Sequence, residues 1–108
     1  MPRARPILIW LAASLAMGDA GSAGAVSEGR ARELERLVRQ DCGSCHGMTL
    51  KGGLGPDIRT ERFTGVPVEA IAQIILEGIP GTPMPPWRPL LTEEDAAWIA
   101  RYLSGGIN

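Results

Sequence analysis

The hydrophobic positions after the first quarter of the chain predict three amphipathic helices and no strand of useful length. In the first helix, Leu34, Leu37 and Val38 repeat at the i, i+3, i+4 spacing of one apolar face, and charged residues occupy the other faces. This surface helix is expected to run from about Ser27 to Asp41.

Glycine and proline separate this helix from the next one. The glycines that begin at Gly43 predict loop conformations as far as about Gly65. Pro67 suits the first position of a second helix, and Gly78 supplies its end. The apolar positions of this second helix share one side and are Val68, Ile71, Ala72, Ile75 and Leu76.

A proline-rich segment precedes the third helix. Residues 79–89 contain five prolines, which exclude a helix or a central strand there. Thr92 followed by Asp95 has the form of a capping box, and the third helix is expected from Thr92 to about Ser104. Its inward-facing positions are Ile99, Tyr102 and Leu103. Three helices joined by long glycine- and proline-rich loops predict an all-α domain whose loops wrap around something rigid.

The N-terminal segment has the pattern of a secretory signal peptide. Two arginines precede an apolar run at residues 7–17, and small residues follow up to Ala25. The run is far shorter than the roughly 20 residues of a membrane-spanning helix. We expect a signal peptide over residues 1–25, cut after Ala25 or Ala20, and one domain over residues 26–108. Export to the periplasm follows, without stable membrane insertion after cleavage.

Charge and size narrow the classes of function. Residues 26–108 carry nine basic and eleven acidic side chains, a net charge of −2, so nucleic acid is not an expected partner. A domain of this size buries only a modest apolar core. We expect a monomer in which a further group fills the centre.

Cys42, Cys45 and His46 form the C-x-x-C-H haem-attachment motif. The two thiols are spaced to reach the two vinyl groups of a haem, and the imidazole follows directly to bind the iron. They are the only cysteines and the only histidine in the chain. Two alternatives use the same residues: a thiol–disulfide oxidoreductase, which lacks its βαβ setting here, and half of a zinc site, which lacks a second ligand pair.

Around this motif the chain resembles the small class I c-type cytochromes. The resemblance rests on residues 42–46, on Gly55-Pro56, on Met84 in its proline-rich loop, and on the pattern at residues 100–103. It implies a cytochrome c fold in which three main helices and long loops surround one covalently bound haem c, attached through Cys42 and Cys45.

The resemblance also implies roles for residues outside the motif. The carbonyl of Pro56 would accept a hydrogen bond from His46 and orient its ring. Met84 would bind the iron opposite His46, whereas Met48 lies too close to His46 in sequence to cross the porphyrin easily. Trp87 would either donate to a haem propionate or fill the core.

His/Met ligation implies electron transfer rather than catalysis, because both axial positions of the iron are filled. Residues 40–47, 52–56 and 84–87 resemble the small cytochromes associated with cytochrome cd1 nitrite reductase, which donate electrons to that enzyme or assist maturation of its haem d1. The alternative is a carrier for another periplasmic dehydrogenase or oxidase. Encounters with redox partner proteins should be weak and transient. They cannot use a lysine ring, since residues 26–108 contain only Lys51.

Overall fold

In a computed structural model of the protein, residues 2–4 and 25–106 are described, and these residues form helices and loops without a strand. The α-helices are α1 (Glu28–Leu37), α2 (Gly43–His46), α3 (Val68–Glu77) and α4 (Glu93–Leu103). A π-helical turn, Val38–Cys42, joins α1 to α2, and a short 3₁₀ turn, Thr60–Phe63, lies in the loop before α3. The predicted all-α fold with three main helices is confirmed.

Most of the predicted signal peptide, residues 5–24, lies outside the described residues. Within the described part of the chain, no helix is long and apolar enough to cross a membrane.

The first helical segment extends further than the sequence predicts. It begins where the Ser27 hydroxyl accepts a hydrogen bond from the Arg30 backbone N–H. The loop predicted from Gly43 onward is wrong at its start, because Gly43 is buried and adopts helical angles of φ −61° and ψ −28°. The Ser44 hydroxyl supports this turn by donating to the Asp41 carbonyl at 2.7 Å. Glycine permits a loop but does not impose one.

The ends of α3 and α4 follow local capping chemistry. Pro67 lies one residue before α3, at its N-cap, and Gly78 ends that helix at a φ of +66°. At the start of α4 the predicted capping box is confirmed. The Thr92 hydroxyl accepts from the Asp95 N–H at 3.1 Å, and the Asp95 carboxylate accepts from the Thr92 N–H at 3.1 Å.

A small core forms where α3 packs on α4 and where the α1 segment meets α4. Leu34 and Val38 have no exposed surface. The core lies beside the segment that carries Cys42 and His46, so its packing positions that segment. The other fully or nearly fully buried apolar residues are Ile71, Ala72, Ile75, Leu76, Leu91, Ala96, Trp98, Ile99, Ala100 and Leu103.

Tyr102 lies at the edge of this core rather than inside it. Its ring stacks on Trp98 with 5.1 Å between centroids, and it is half-buried. Its hydroxyl donates to the Glu35 carboxylate at 3.4 Å, which links α4 to α1. The predicted inward face of α4 is therefore correct for Ile99 and Leu103 and only partly correct for Tyr102.

Candidate cofactor site

One cavity of about 680 Å³ brings together the thiols of Cys42 and Cys45, the imidazole of His46 and the thioether of Met84. Its walls are mainly apolar. They are formed by residues 41–46, by loop residues between 54 and 66, by α3 and α4, and by the proline-rich loop that carries Met84. The apolar side chains contributed by α3 and α4 are Ile71, Ile74, Ile75, Ile99 and Leu103.

The two cysteines lie half-buried on the cavity wall and form no disulfide. Burial raises the pKa of the Cys42 thiol to about 11, so this thiol is neutral near pH 7. A thiol oxidoreductase needs the reverse, a lowered pKa that yields a nucleophilic thiolate. The environment of Cys42 therefore argues against the oxidoreductase alternative.

One nitrogen of His46 contacts the backbone and the other is left for a metal. Nδ1 lies 2.7 Å from the Pro56 carbonyl oxygen. Because a carbonyl oxygen can only accept, Nδ1 carries the proton and the lone pair lies on Nε2. The absence of a side chain at Gly55 leaves room for the ring, since a Cβ at position 55 would stand 2.7 Å from Cε1 and 2.8 Å from Nδ1 of His46. The hydrogen bond to Pro56 and the close packing of Gly55 therefore hold the ring in one orientation.

Met84 reaches the cavity on a loop that is fastened to the end of α3. The Trp87 N–H donates to the Ile75 carbonyl at 3.1 Å, and the Ile79 N–H donates to the Met84 carbonyl at 3.2 Å. Met84 itself is half-buried on the cavity wall. The competing methionine, Met48, is 72% exposed and does not line the cavity.

Aromatic and basic side chains that could contact the polar groups of a cofactor are distributed unequally around the cavity. Trp87 is half-buried on the cavity wall. Arg59 pairs with Asp57, and neither Arg59 nor Arg88 lines the cavity. Arg62 does line it, and among the described residues it is the one arginine or lysine on the wall.

Sequence reasoning missed Arg62. The Arg62 Nε donates to the Asp57 carboxylate at 3.2 Å, and the side chain remains 65% exposed. Arg59 and Arg62 together hold the pKa of the Asp57 carboxyl well below its ordinary value, with Arg59 the larger cause. Of these three side chains only Asp57 and Arg62 line the cavity, so their opposite charges offset each other on this part of the wall. No spacing signal in the sequence marks Arg62, since the loop that carries it is irregular.

These residues fit a covalently attached haem. Two unpaired thiols, an imidazole with Nε2 available and a thioether from a separate loop are the donors of a haem c site, and the cavity that joins them is apolar. The zinc alternative gains no support, because the described residues contain no group of three or more His, Cys, Asp and Glu side chains arranged to hold a metal ion.

Fold and site together define a c-type cytochrome domain. A family model described as "Cytochrome C oxidase, cbb3-type, subunit III" matches residues 29–103. The chain belongs to this family of c-type cytochromes, and membership implies binding of haem c.

Three known proteins show how far the similarity extends. The chain is 50% identical over 103 residues to cytochrome c55X of Paracoccus denitrificans, covering 95% of this chain and 94% of that protein. It is similar to a solved structure named c-type cytochrome NirC, with a TM-score of 0.72, 45% identity, and coverage of 76% of this chain and 96% of that one. It is also 32% identical over 96 residues to dihydro-heme d1 dehydrogenase of Pseudomonas aeruginosa, covering 89% of this chain but 18% of that protein.

Proposed function

We propose that this protein is a periplasmic one-electron carrier that holds one covalent haem c with His/Met axial ligation. The observation that carries the proposal is that Cys42, Cys45, His46 and Met84 all line one apolar cavity. Cys42 and Cys45 would form the thioether bonds, His46 would bind the iron through Nε2, and Met84 would bind it from the opposite side.

The haem supplies reversible one-electron chemistry, and the chain determines its environment. Pro56 keeps the His46 ring oriented and makes Nε2 a stronger donor. As an iron ligand, Met84 would take the position that a small molecule could otherwise use, which favours electron transfer over catalysis. The apolar walls exclude water, and Arg62 offers its free donors to an anionic group at the cavity edge.

The proposed location depends on the N-terminal sequence. Arginines at the N-terminus, the apolar run at residues 7–17 and the small residues before Val26 support cleavage of residues 1–25 after export. A domain over residues 26–108 then receives its haem in the periplasm.

The proposed partner is the machinery of a cytochrome cd1 nitrite reductase, served either as electron donor or during maturation of haem d1. Support for the maturation role comes from the relative named dihydro-heme d1 dehydrogenase. Dehydrogenation removes two electrons and two protons, so a one-electron carrier would accept the electrons in two successive encounters. Support for an alternative role, serving an oxidase, comes from the oxidase named in the family description.

Replacing the sixth ligand tests the proposed electron-carrier site. We expect Met84→Ala to lose the sulfur-to-iron band of the ferric protein and to lower the reduction potential, because a methionine ligand favours the reduced state. Met48→Ala is the matched control, since Met48 is exposed and lies off the cavity. Optical spectra and redox titration of both haem-loaded variants give the result. An unchanged band in Met84→Ala would exclude Met84 as a ligand.

A further inference from the structure

The backbone of Gly78 lies directly against the backbone that carries Met84. A Cβ at position 78 would stand 2.6 Å from the Met84 carbonyl oxygen, 2.7 Å from the Pro85 carbonyl carbon and 2.8 Å from the Pro86 nitrogen. These are backbone atoms of a segment whose prolines restrict φ, so they cannot turn aside as the tip of a flexible side chain could. The close approach therefore requires glycine.

The conformation of Gly78 requires glycine as well. Its angles, φ +66° and ψ −170°, lie in a region that residues with a Cβ essentially do not enter. This turn ends α3 and immediately directs the chain into the loop that carries Met84. Gly78 thus controls both the direction in which the loop leaves the helix and its distance from the helix.

A second residue holds Met84 from within the loop. The Thr82 hydroxyl donates to the Ile79 carbonyl at 2.7 Å and accepts from the Met84 backbone N–H at 3.3 Å. The Met84 carbonyl in turn accepts from the Ile79 N–H. Both backbone polar groups of Met84 are therefore bound within a loop that rests on Gly78.

We propose that Gly78, assisted by Thr82, is a positioning residue for the sixth axial ligand. The missing side chain at position 78 lets the Met84 backbone rest on the end of α3, which sets where the thioether stands on the cavity wall. A displaced thioether holds iron less firmly, so the sixth position is open more of the time and an added ligand binds with higher apparent affinity. The inference rests on the proposed ligation of haem by Met84.

The experiment compares glycine variants of the haem-loaded protein. Gly78→Ala is paired with Gly81→Ala, because Gly81 lies in the same loop with a φ of +78° but has no atom within 4 Å of its Cβ position. Both positions have a positive φ, which disfavours alanine, and only an alanine at position 78 would also press on the Met84 backbone. The readouts are the ferric sulfur-to-iron band and the affinity for added imidazole.

We expect Gly78→Ala to weaken the band and to bind imidazole about tenfold more tightly than the native protein, while Gly81→Ala stays within about twofold. Thr82→Val, which keeps the side-chain shape but loses both hydrogen bonds, should bind imidazole about threefold more tightly. Its matched control is Thr64→Val, whose hydroxyl donates only to the Glu61 carbonyl, at 3.3 Å.

Equal band intensity and imidazole affinity in Gly78→Ala and Gly81→Ala would overturn the inference. Should Gly78→Ala yield no haem-loaded protein, the threonine pair decides, and equal behaviour of Thr82→Val and Thr64→Val overturns it. Met84→Ala separates this failure from failure of the proposed function. If the band survives in Met84→Ala, the ligation itself is wrong. If Met84→Ala loses the band while Gly78→Ala and Gly81→Ala show the same band intensity and imidazole affinity, only the positioning role is wrong.

Discussion

At the scale of single residues, the chemistry of the site depends on which nitrogen of His46 is free. The Pro56 carbonyl accepts from Nδ1, and Gly55 packs against the ring. With His46 as the proposed iron ligand, this hydrogen bond would make it a stronger donor, and a stronger donor stabilises the oxidised iron, which carries the greater positive charge. The bond should therefore lower the reduction potential, in opposition to Met84.

Adding a methyl group at position 55 tests this effect. Gly55→Ala places a Cβ within 2.8 Å of His46 Nδ1 and should push the ring away from Pro56. Loss of one hydrogen bond should raise the reduction potential by on the order of 40 mV, measured by spectroelectrochemistry. Gly29→Ala is the control, because its Cβ would meet only the Ser27 hydroxyl, at 4.0 Å. An unchanged or lower potential in Gly55→Ala would contradict this account of His46.

At the scale of elements, an ion pair fastens the first helix to the last. Arg30 donates to both oxygens of the Asp95 carboxylate, from Nε at 3.1 Å and from Nη2 at 2.8 Å. The Asp95 side chain is only 6% exposed and also belongs to the capping box of α4. The sequence predicts the capping role of Asp95, whereas the partner from α1 is visible only in the structure.

The pH dependence of stability should report this pair. Hydrogen bonds from Arg30 lower the pKa of the Asp95 carboxyl. A lowered pKa stabilises the folded state above the unfolded value of about 3.9, and this contribution is lost as the pH falls through the folded-state value. Asp95→Asn should therefore lower the free energy of unfolding by about 1–3 kcal/mol at pH 7, and the difference from the native protein should shrink below about pH 4.

Unfolding of the haem-loaded protein by urea, an uncharged denaturant that does not screen the ion pair, at about pH 7 and about pH 3 and followed by circular dichroism, measures this difference. Glu94→Gln serves as the control, since Glu94 is an exposed acid in the same first turn of α4. We expect Glu94→Gln to change stability by no more than about 0.5 kcal/mol. A loss in Asp95→Asn that is the same at both pH values would show that capping alone, and not the charge of the pair, is responsible.

At the scale of the whole molecule, the cavity explains how three main helices with a small core can form a stable domain. The buried apolar residues lie along α1, α3 and α4, and the cavity of about 680 Å³ occupies the space that further core side chains would otherwise fill. Long glycine- and proline-rich loops are unfavourable around an empty centre and acceptable around a rigid group. A bound haem would therefore complete the core as well as supply the redox chemistry.

The direction of electron flow is a property of the whole molecule and its partner. We expect rapid electron transfer in at least one of two stopped-flow mixtures. In the first, the reduced protein meets a cytochrome cd1 nitrite reductase with nitrite. In the second, the oxidised protein meets a dihydro-haem d1 dehydrogenase with its substrate, and two molecules of carrier should be reduced per substrate oxidised.

Met84→Ala is the control in both mixtures and should transfer electrons at least about tenfold more slowly, because its altered ligation and potential disfavour exchange. Transfer only in the first mixture indicates an electron donor, and transfer only in the second indicates a role in maturation. Transfer in neither would reject both roles and favour another periplasmic dehydrogenase or oxidase as partner.

The sequence by itself determined the three main helices and presented the C-x-x-C-H motif on which the proposed haem attachment rests. Periodicity and capping are local, and Cys42, Cys45 and His46 are adjacent along the chain, so these features need no knowledge of the fold. Which residues of separate loops and helices lie next to one another was decided only by the tertiary structure. The resemblance to class I cytochromes had predicted Met84 rather than Met48 as the ligand, and the structure places Met84 on the cavity and brings Arg62 to its wall. Gly78 likewise came to rest on the backbone of Met84. Each of these depends on how irregular loops pack against helices, and loop packing leaves no periodic signal in the sequence.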